Sequence, residues 1–304
     1  KSFFRLMLKS VNEKQWVDFL GKSQNPTIYH HPAFLRVFKD KVDFKCFFKG
    51  DELVMGIPLI ANKTERLRFQ AYNGFIFLDR KKTKLQKIIS TNAKGFVEYA
   101  DYFYKNYNKL KLSCDGTQTD ARQFIWHKYP NSKFFTEEYY TSKIFLKNFS
   151  REAISEARRQ DLKKSEILGL CVKESSDYNS AASFFYGADF DNSLVDDKKI
   201  YFEIMKSLTR EKLGKLYCSC IKEKIVSYAF FGLIKDKVFY MFSGRDKNFK
   251  EVSNHTLLIY ESLVSFQSNF SEFDFVGVNS PNRGSYKLSF GGNLERGLYL
   301  GLNK

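Results

Sequence analysis

The sequence predicts an α/β protein, of the α+β kind, made of two mixed units in tandem. The chain has 304 residues, enough for two units that each bury a hydrophobic core. The order of elements recurs, because each half shows a helix, antiparallel hairpin strands, a second helix and a further strand. No stretch rich in Pro, Gly or Ser separates the halves, so we expect them to pack tightly.

Apolar runs bounded by turn residues indicate the elements of the first half. Two aromatic and aliphatic runs around a Gly-Asp turn predict a strand, a turn and a second strand across 44–60. A short apolar run predicts a strand at 75–78. A helical period predicts a long helix from about 84 to 104, and a final run predicts a strand at 110–113.

The second half begins with a basic helix and continues through hairpin strands to a last apolar helix. The predicted elements are a helix at 201–208, strands at 214–221, 225–234 and 238–243, a helix at 254–266, and closing strands. The helix at 254–266 is apolar over much of its surface, so we expect it to be buried.

The basic helix has recognisable start and stop signals. Ser150 is a candidate N-cap, and Gly169 is placed to end the helix. Arg159 and Lys163 stand one turn apart on one side. The opposite, apolar side carries Ile154, Ala157, Leu162 and Leu168. Most charge runs are solvated faces, which is the alternative to an anion-binding role.

The C-terminal segment 273–292 combines a buried strand with polar residues and glycines. We predict that a loop holding Asn279, Asn282 and Arg283 follows the strand and leads to the pair Tyr286-Lys287 before a Gly-Gly turn. A lysine beside backbone amides freed by glycine suits an anionic ligand or a developing oxyanion. An ordinary hairpin turn flanked by a lysine is the alternative.

Two of these segments resemble one known family. The pattern Phe-Asp-Phe-x-Gly…Tyr-Lys-x-x-Phe-Gly-Gly at 273–292 is similar to the C-terminal strands of the FemAB-like branch of the GNAT acyltransferase superfamily. The run Arg-Arg-x-x-x-Lys-Lys-Ser-Glu at 158–166 resembles that family's entry to its second domain. Looser similarities extend over most of the chain, at 16–20, 25–34, 50–59, 72–76, 120–124 and 140–146.

The resemblance implies two tandem GNAT-like domains, 1–149 and 150–304, each a mixed, mainly antiparallel sheet flanked by helices. It implies an N-acyltransferase that moves an acyl group from acyl-CoA to an amine of a cell-envelope precursor, either an amino sugar or a peptide on a nucleotide or lipid carrier. The Gln/Arg-x-x-Gly-x-Gly/Ala coenzyme A loop of ordinary GNAT enzymes is absent. An aminoacyl-tRNA donor therefore stays open as an alternative. A non-catalytic polyanion-binding module that uses the positive charge is a second alternative.

The resemblance also implies a donor site in the second domain. In a GNAT unit the chemistry lies where two central strands separate and the next helix points its N-terminus into the gap, which corresponds to 240–244 and 253–256. Free N–H groups at that helix start can hold a phosphate. The residues expected to bind the donor are Ser243, Ser253, Asn254, Asn279 and Tyr286.

The remaining expected roles are catalysis and binding of the acceptor in a cleft shared by both domains. Lys287 is expected to stabilise the anionic intermediate, and Asp189 and His255 are the candidates for a general base. The residues expected to bind the acceptor or its phosphates are Arg158, Arg159, Tyr72, His30 and His31. Packing beneath a turn is the alternative for Tyr72, and a structural role is the alternative for both histidines.

Charge and composition limit the partners. The net charge of +16 favours polyanions, which include coenzyme phosphates, nucleotide-linked sugars, transfer RNA and an anionic membrane face. No apolar stretch approaches the ~18 to 20 residues that cross a bilayer, so we expect a cytoplasmic protein, with contact at the inner membrane face as an alternative. The five cysteines show no metal-binding spacing, and their odd number argues against a disulfide framework. The oligomeric state is left open.

Overall fold

The structure, a computed structural model, describes residues 6–61, 67–118, 120–188, 197–249 and 254–304. The elements up to the middle of the chain are β1 (Leu6–Val11), α1 (Glu13–Lys22), α2 (Pro32–Leu35), β2 (Val42–Lys49), β3 (Glu52–Ile60), β4 (Ile76–Phe77), α3 (Leu85–Asn106), β5 (Lys109–Cys114), α4 (Arg122–Ile125) and β6 (Phe134–Phe145). The later elements are α5 (Glu156–Ile167), β7 (Leu170–Glu174), α6 (Tyr178–Ala188), α7 (Asp197–Arg210), β8 (Gly214–Ile221), β9 (Lys224–Ile234), β10 (Lys237–Arg245), α8 (Asn254–Phe266), β11 (Glu272–Asp274), α9 (Pro281–Leu288) and β12 (Asn293–Asn303).

The chain forms two compact units. Unit 1 contains the described residues up to Tyr139 together with Arg296–Lys304, and unit 2 contains Tyr140–Glu295. The boundary between the two compact units therefore lies between Tyr139 and Tyr140, whereas the predicted domain boundary lies between residues 149 and 150. No helix in the described parts of the chain is both long and apolar enough to span a bilayer.

Unit 1 contains a four-stranded antiparallel sheet in the order β1-β2-β3-β4 and an antiparallel pair formed by β5 and β12. Its core is largely aromatic. For example, the rings of Phe75 and Tyr99 meet edge to face with centroids 4.8 Å apart. Helix α3 buries residues spaced three or four apart, namely Thr91, Gly95, Phe96, Tyr99, Ala100 and Phe103. Aromatic rings therefore fill much of the core of unit 1.

Unit 2 contains strands in the order β6-β11-β10-β9-β8-β7. Only β10 and β11 run parallel among these described pairs, so the sheet is mixed and mainly antiparallel, as predicted. Helices α6 and α7 pack against strands of this sheet. The rings of Tyr201 on α7 and Phe185 on α6 both contact the ring of Phe242, with centroid distances of 4.8 Å and 5.9 Å. Residues 189–196, between these two helices, lie outside the described part of the chain.

The basic helix begins later than predicted. Helix α5 starts at Glu156, and its N-cap is Ser155, whose hydroxyl accepts a hydrogen bond from the amide of Arg158. Ser150 instead precedes a single 3-10 turn, Arg151–Ala153, because the chain is extended at Ile154. Gly169 follows the helix with φ +68°, as its predicted role in ending the helix requires.

The predicted loop before Tyr286-Lys287 is largely helix. Pro281 is the first residue of α9, where its missing N–H costs nothing and its fixed φ favours the helix. The following Asn-Arg-Gly-Ser run has weak helix propensity, so sequence patterning favoured a loop. Gly284 is nevertheless required in the helix, since a Cβ there would lie 2.2 Å from the carbonyl oxygen of Val278.

Candidate functional site

The site in unit 2 lies where two parallel strands separate. Strands β10 and β11 pair as far as Phe239 and Asp274, and β10 then continues to Arg245 paired with β9 on its other side. The register of β10 against β9 shifts between Tyr240 and Phe242, which marks a β-bulge. The predicted separation of the strands in this segment is therefore observed, with Tyr240 at its start.

Tyr240 is paired with a histidine from the first turn of α8. The Tyr240 hydroxyl and His255 Nε2 are 2.7 Å apart and share a hydrogen bond. Burial, with a contribution from Arg245, lowers the pKa of His255 to about 4, so this imidazole is neutral near pH 7. Burial raises the pKa of Tyr240 above its usual range, so its phenol stays protonated.

Arg158 joins α5 to α8 and α9. Its Nη1 donates to Thr256 Oγ1 at 3.3 Å and forms an ion pair with Asp161 Oδ2 at 3.1 Å. Thr256 in turn donates to the same Asp161 oxygen at 3.2 Å. The Arg158 guanidinium lies 5.0 Å from the ring centroid of Tyr286, within the range of a cation–π contact. We call Arg158, Asp161, Tyr240, His255, Thr256 and Tyr286 the unit 2 polar cluster.

Two nitrogen atoms of the unit 2 polar cluster lack partners. Arg158 Nε and His255 Nδ1 are both buried, and neither has a hydrogen-bond partner within the described part of the chain. Buried polar atoms in native proteins are nearly always paired, so each such atom needs an explanation. Both can engage a polar group of a bound molecule.

Lys287 is committed to backbone carbonyls. Its Nζ donates to the carbonyl oxygens of Phe275, Val276 and Gly277 at 2.7, 2.9 and 2.9 Å, which uses all three ammonium protons. Burial lowers the pKa of Lys287 to about 8, and the carboxylate of Asp274 acts in the opposite direction. The geometry makes Lys287 a positioning residue whose protons are already bound, and not a free donor to an oxyanion.

The turn that Lys287 holds is unusual. Val276 and Gly277 both have positive φ, +53° and +77°, and a β-branched residue rarely adopts such a conformation. Strained backbone of this kind persists only where surrounding contacts enforce it, and it concentrates at functional sites. The three bonds from Lys287 help to enforce it here, together with the bonds that the amides of Val276 and Gly277 donate to Asp274 Oδ1 and Thr141 Oγ1. The ring centroid of Tyr240 lies 5.5 Å from Lys287 Nζ.

The electrostatic surroundings are cationic. Burial is the main cause of the lowered pKa of both His255 and Lys287, and nearby Arg245 and Arg283 respectively lower them further. The carboxylates of Asp161 and Asp274 offset only part of the positive charge. Such surroundings favour an anionic ligand.

Other predicted residues have structural partners. Arg159 Nη1 donates to the carbonyls of Glu152 and Ile154 at 3.2 and 2.8 Å, and so holds the 3-10 turn against α5. Asn279 bonds both backbone groups of Tyr140, accepting at 2.7 Å and donating at 3.0 Å. Both side chains are therefore engaged with the backbone of unit 2.

The other donor-site predictions are only partly described. Ser243 is half-buried on β10, and its hydroxyl lowers the pKa of Tyr240 against the larger effect of burial. Asn254 is the first residue of α8. Asp189 and Ser253 lie outside the described residues, so their roles stay predictions.

The three predicted residues of unit 1 are buried within it. His30 is 2% exposed, its Nδ1 contacts Thr27 Oγ1 at 2.5 Å, and its Nε2 contacts the carbonyl of Gly74 at 2.9 Å. His31 caps α2 by accepting from the amide of Ala33. Tyr72 is 2% exposed and packs with other aromatic rings. This burial matches the structural alternatives and not an exposed wall that touches an acceptor.

The buried histidines predict that acid destabilises the protein. Burial lowers the pKa of His30 to about 4, below its usual value of 6.5. Between those pH values the unfolded state binds more protons, so the free energy of unfolding falls as pH drops through this window, by about 3 kcal/mol for His30. Urea unfolding at several pH values should show this fall, and a smaller one in His30→Gln. An equal pH dependence in both proteins would contradict the assignment to His30.

Sequence reasoning missed Tyr240, Asp161 and Thr256 as site residues. The sequence indicates the segments that contain them, but it predicts Ser243 as the donor-binding residue of β10. An aromatic residue at the predicted separation of the strands was the available signal for Tyr240. The sequence contains no such signal for Asp161 and Thr256, because their contact joins α5 to α8 across 95 residues.

Solved structures share this fold. The crystal structure of FemX matches with a TM-score of 0.69 at 10% sequence identity, covering 96% of each chain. The C-terminal domain of a protein named as a lysylphosphatidylglycerol synthetase, from Agrobacterium fabrum, gives 0.60 at 9% identity, covering 96% of this chain and 92% of that chain. A tandem GNAT protein from the clavulanic acid biosynthesis pathway gives 0.53 at 8% identity, covering 98% of each chain.

The chain therefore shares the fold of FemX and of a tandem GNAT protein. The predicted resemblance and fold class are confirmed. No protein-family model matches the sequence. No curated protein is significantly similar to it in sequence. At identities near 10%, the solved structures establish the fold and leave the reaction to be argued from the site.

Proposed function

We propose that the protein is an N-acyltransferase that moves an acyl group from a CoA thioester to an amine of a cell-envelope precursor. The observation that carries the proposal is the pairing of Tyr240 with His255 where β10 and β11 separate, beside the unpartnered Arg158 Nε. In the reaction the amine attacks the thioester carbonyl, the C–N bond forms, and the C–S bond breaks. The amine loses a proton and the departing thiolate gains one.

The residues of the unit 2 polar cluster suit distinct parts of this reaction. The protonated hydroxyl of Tyr240 can donate a proton to the leaving sulfur. His255 is neutral and holds that hydroxyl in place through a 2.7 Å hydrogen bond. Arg158 offers the unpartnered Nε to a phosphate of the donor. Lys287 supports the strained turn beside Tyr240, which keeps the ring in position.

The acceptor class rests on the structural neighbours. One of them is named for the synthesis of lysylphosphatidylglycerol, an aminoacylated phospholipid. Together with the similarity to FemX, this supports an acceptor from the cell envelope, either an amino sugar or a peptide. The net charge of +16 suits an acceptor on a phosphate-bearing nucleotide or lipid carrier. A lipid carrier would place the acceptor at an anionic membrane face.

An aminoacyl-tRNA donor is the second candidate. The lysyl group in the name of one neighbour favours it, and so does the net charge of +16, because transfer RNA is a polyanion. Against it, the described residues of α6 and α7 pack on the sheet of unit 2 through Phe185 and Tyr201, so these two helices do not project from the sheet as a surface for tRNA. We therefore favour acyl-CoA.

Changing Arg158 and Arg159 separately tests the donor site. Arg158→Gln should weaken acyl-CoA binding by about 10- to 100-fold, because it removes a charge-assisted hydrogen bond to phosphate. Arg159→Gln is the matched control, since that side chain bonds backbone carbonyls, and it should leave affinity near that of the unmodified protein. Calorimetric titration at low and high salt measures both, and wild-type affinity should fall with salt.

Three results would count against this assignment. Equal affinity in the wild type and in Arg158→Gln would remove Arg158 from the donor site. Tight binding of aminoacyl-tRNA without binding of acyl-CoA would select the second donor. Salt-sensitive binding of any polyanion, with no acyl transfer to amines, would instead support the non-catalytic module.

A further inference from the structure

Unit 1 contains a groove that the acyltransferase proposal does not use. Its volume is about 320 Å³, and it lies beside α4 and the strands β6 and β12. The lining residues that bear on its chemistry are Gln118, Arg122, Trp126, Glu138, Arg296 and Leu298. All of them belong to unit 1.

The carboxamide of Gln118 is the first sign of a ligand. Gln118 is only 3% exposed, and neither its Nε2 nor its Oε1 has a hydrogen-bond partner among the residues that the structure describes. Its amide N–H donates to the carbonyl of Asp115, so the backbone of this turn is fixed. A buried carboxamide without partners is uncommon. A molecule that satisfies it must offer a donor and an acceptor side by side.

The indole of Trp126 is the second sign. Trp126 is 56% exposed, although a tryptophan side chain is usually well buried. The Arg122 guanidinium lies 5.5 Å from its ring centroid, a contact that steadies the indole at the edge of the groove. With Leu298 and Ile125, the indole supplies apolar surface for a ligand.

The charges around the groove are already paired. Arg122 bonds both carboxylate oxygens of Asp120 at 2.9 Å. Arg296 donates to Glu138, also at 2.9 Å. Because each arginine faces its own carboxylate, the groove offers hydrogen-bonding groups without a strong net charge. This favours an uncharged polar ligand over a phosphate.

We propose that this groove binds an uncharged sugar ring. The C–H face of a sugar ring is apolar and can lie on the indole of Trp126. Neighbouring hydroxyls each donate and accept hydrogen bonds, so a vicinal pair can serve both Oε1 and Nε2 of Gln118. The paired charges of Glu138 and Arg296 can bond further hydroxyls. The site is independent of the acyl-transfer proposal, since it uses residues of unit 1 alone.

Tryptophan fluorescence provides a direct test, because the chain has only two tryptophans. Trp16 is fully buried, and its Nε1 donates to the carbonyl of His30. Emission that acrylamide quenches therefore comes mainly from Trp126. We expect maltose or N,N′-diacetylchitobiose, titrated into the full chain, to protect Trp126 from acrylamide in a saturable manner.

Three variants distinguish a specific binding site from non-specific adsorption of sugar to an exposed aromatic surface. Gln118→Ala should weaken sugar binding by about tenfold or more, as the loss of two hydrogen bonds predicts. Trp126→Ala, at an exposed position, should abolish binding measured by calorimetry without unfolding the protein. Tyr129→Ala, a change at another exposed aromatic that does not line the groove, should bind as the wild type does. Absence of saturable protection by either sugar would overturn the proposal. So would wild-type affinity in Trp126→Ala, or stronger protection by uridine than by the sugars.

Discussion

Changing Lys287 to methionine is expected to lower the melting temperature and the turnover together. The variant keeps the length of the side chain but loses three hydrogen bonds to the carbonyls of residues 275–277. Hydrogen bonds from charged donors contribute about 1.5–3 kcal/mol each to stability. Burying the ammonium group costs part of that gain. We therefore expect the free energy of unfolding to fall by about 3 kcal/mol in the variant. For a chain of this size that is a fall in Tm of about 5–10 °C.

Turnover should fall by about 100-fold in the same variant. The strained turn at Val276 and Gly277 loses its support, and Tyr240 lies beside it. Displacement of a catalytic group by about 1 Å can cost that much. Lys163→Ala, a change at an exposed lysine on α5, is the control and should alter neither quantity.

Thermal unfolding and steady-state kinetics on the same preparations distinguish two roles for Lys287. A positioning residue lowers both Tm and turnover. The role predicted from the sequence, a free cation at an oxyanion, would lower turnover while Tm stays constant. That second pattern would show that the three carbonyl bonds are replaced when substrate binds.

Tyr240→Phe should have the largest effect on the chemical step. The change removes only the hydroxyl that His255 holds at 2.7 Å, and general acid catalysis contributes about 10²- to 10⁴-fold. We expect kcat to fall by about 10²-fold or more, with acyl-CoA affinity near that of the wild type. Stability should change by only about 1 kcal/mol. Single-turnover transfer of a labelled acyl group measures the step directly.

Tyr260→Phe is the matched control, because Tyr260 is a half-buried tyrosine of the same unit, on α8, that packs against Phe149. It should transfer the acyl group at the wild-type rate. If Tyr240→Phe were as fast as this control, the Tyr240 hydroxyl would not be the acid. The proton would then reach the leaving group from solvent or from the substrate.

The regular elements could be predicted because their information is local. Strand β8 and helix α8 have the predicted bounds, since apolar period and turn residues fix each one within a few neighbours. Helix α9 could not be predicted in this way. Its Asn-Arg-Gly-Ser run disfavours a helix, and the close approach to Val278 that requires Gly284 is visible only in the fold.

The site was harder to predict than the fold because its contacts are long-range. The sequence indicated Arg158, His255 and Tyr286, which the structure brings into one cluster. It gave no reason to separate Arg158 from Arg159, because two adjacent arginines look alike until the helix start is known. With the N-cap at Ser155, Arg158 meets Thr256, 98 residues away, while Arg159 turns back to Ile154.

A crystal structure with a non-hydrolysable acyl-CoA analogue tests the central claim most directly. We predict that a phosphate or the acyl carbonyl of the analogue accepts from Arg158 Nε or that an N–H of the analogue donates to His255 Nδ1, with the sulfur position next to the Tyr240 hydroxyl. In that tautomer His255 Nε2 donates to the phenol oxygen and leaves the Tyr240 proton for the sulfur. Arg158 Nε and His255 Nδ1 are the two buried nitrogens of the cluster without partners in the described chain, and the Tyr240 hydroxyl is the proposed acid. An analogue bound elsewhere, with both nitrogens still unpartnered, would contradict the assignment of the unit 2 polar cluster as the acyl-transfer site.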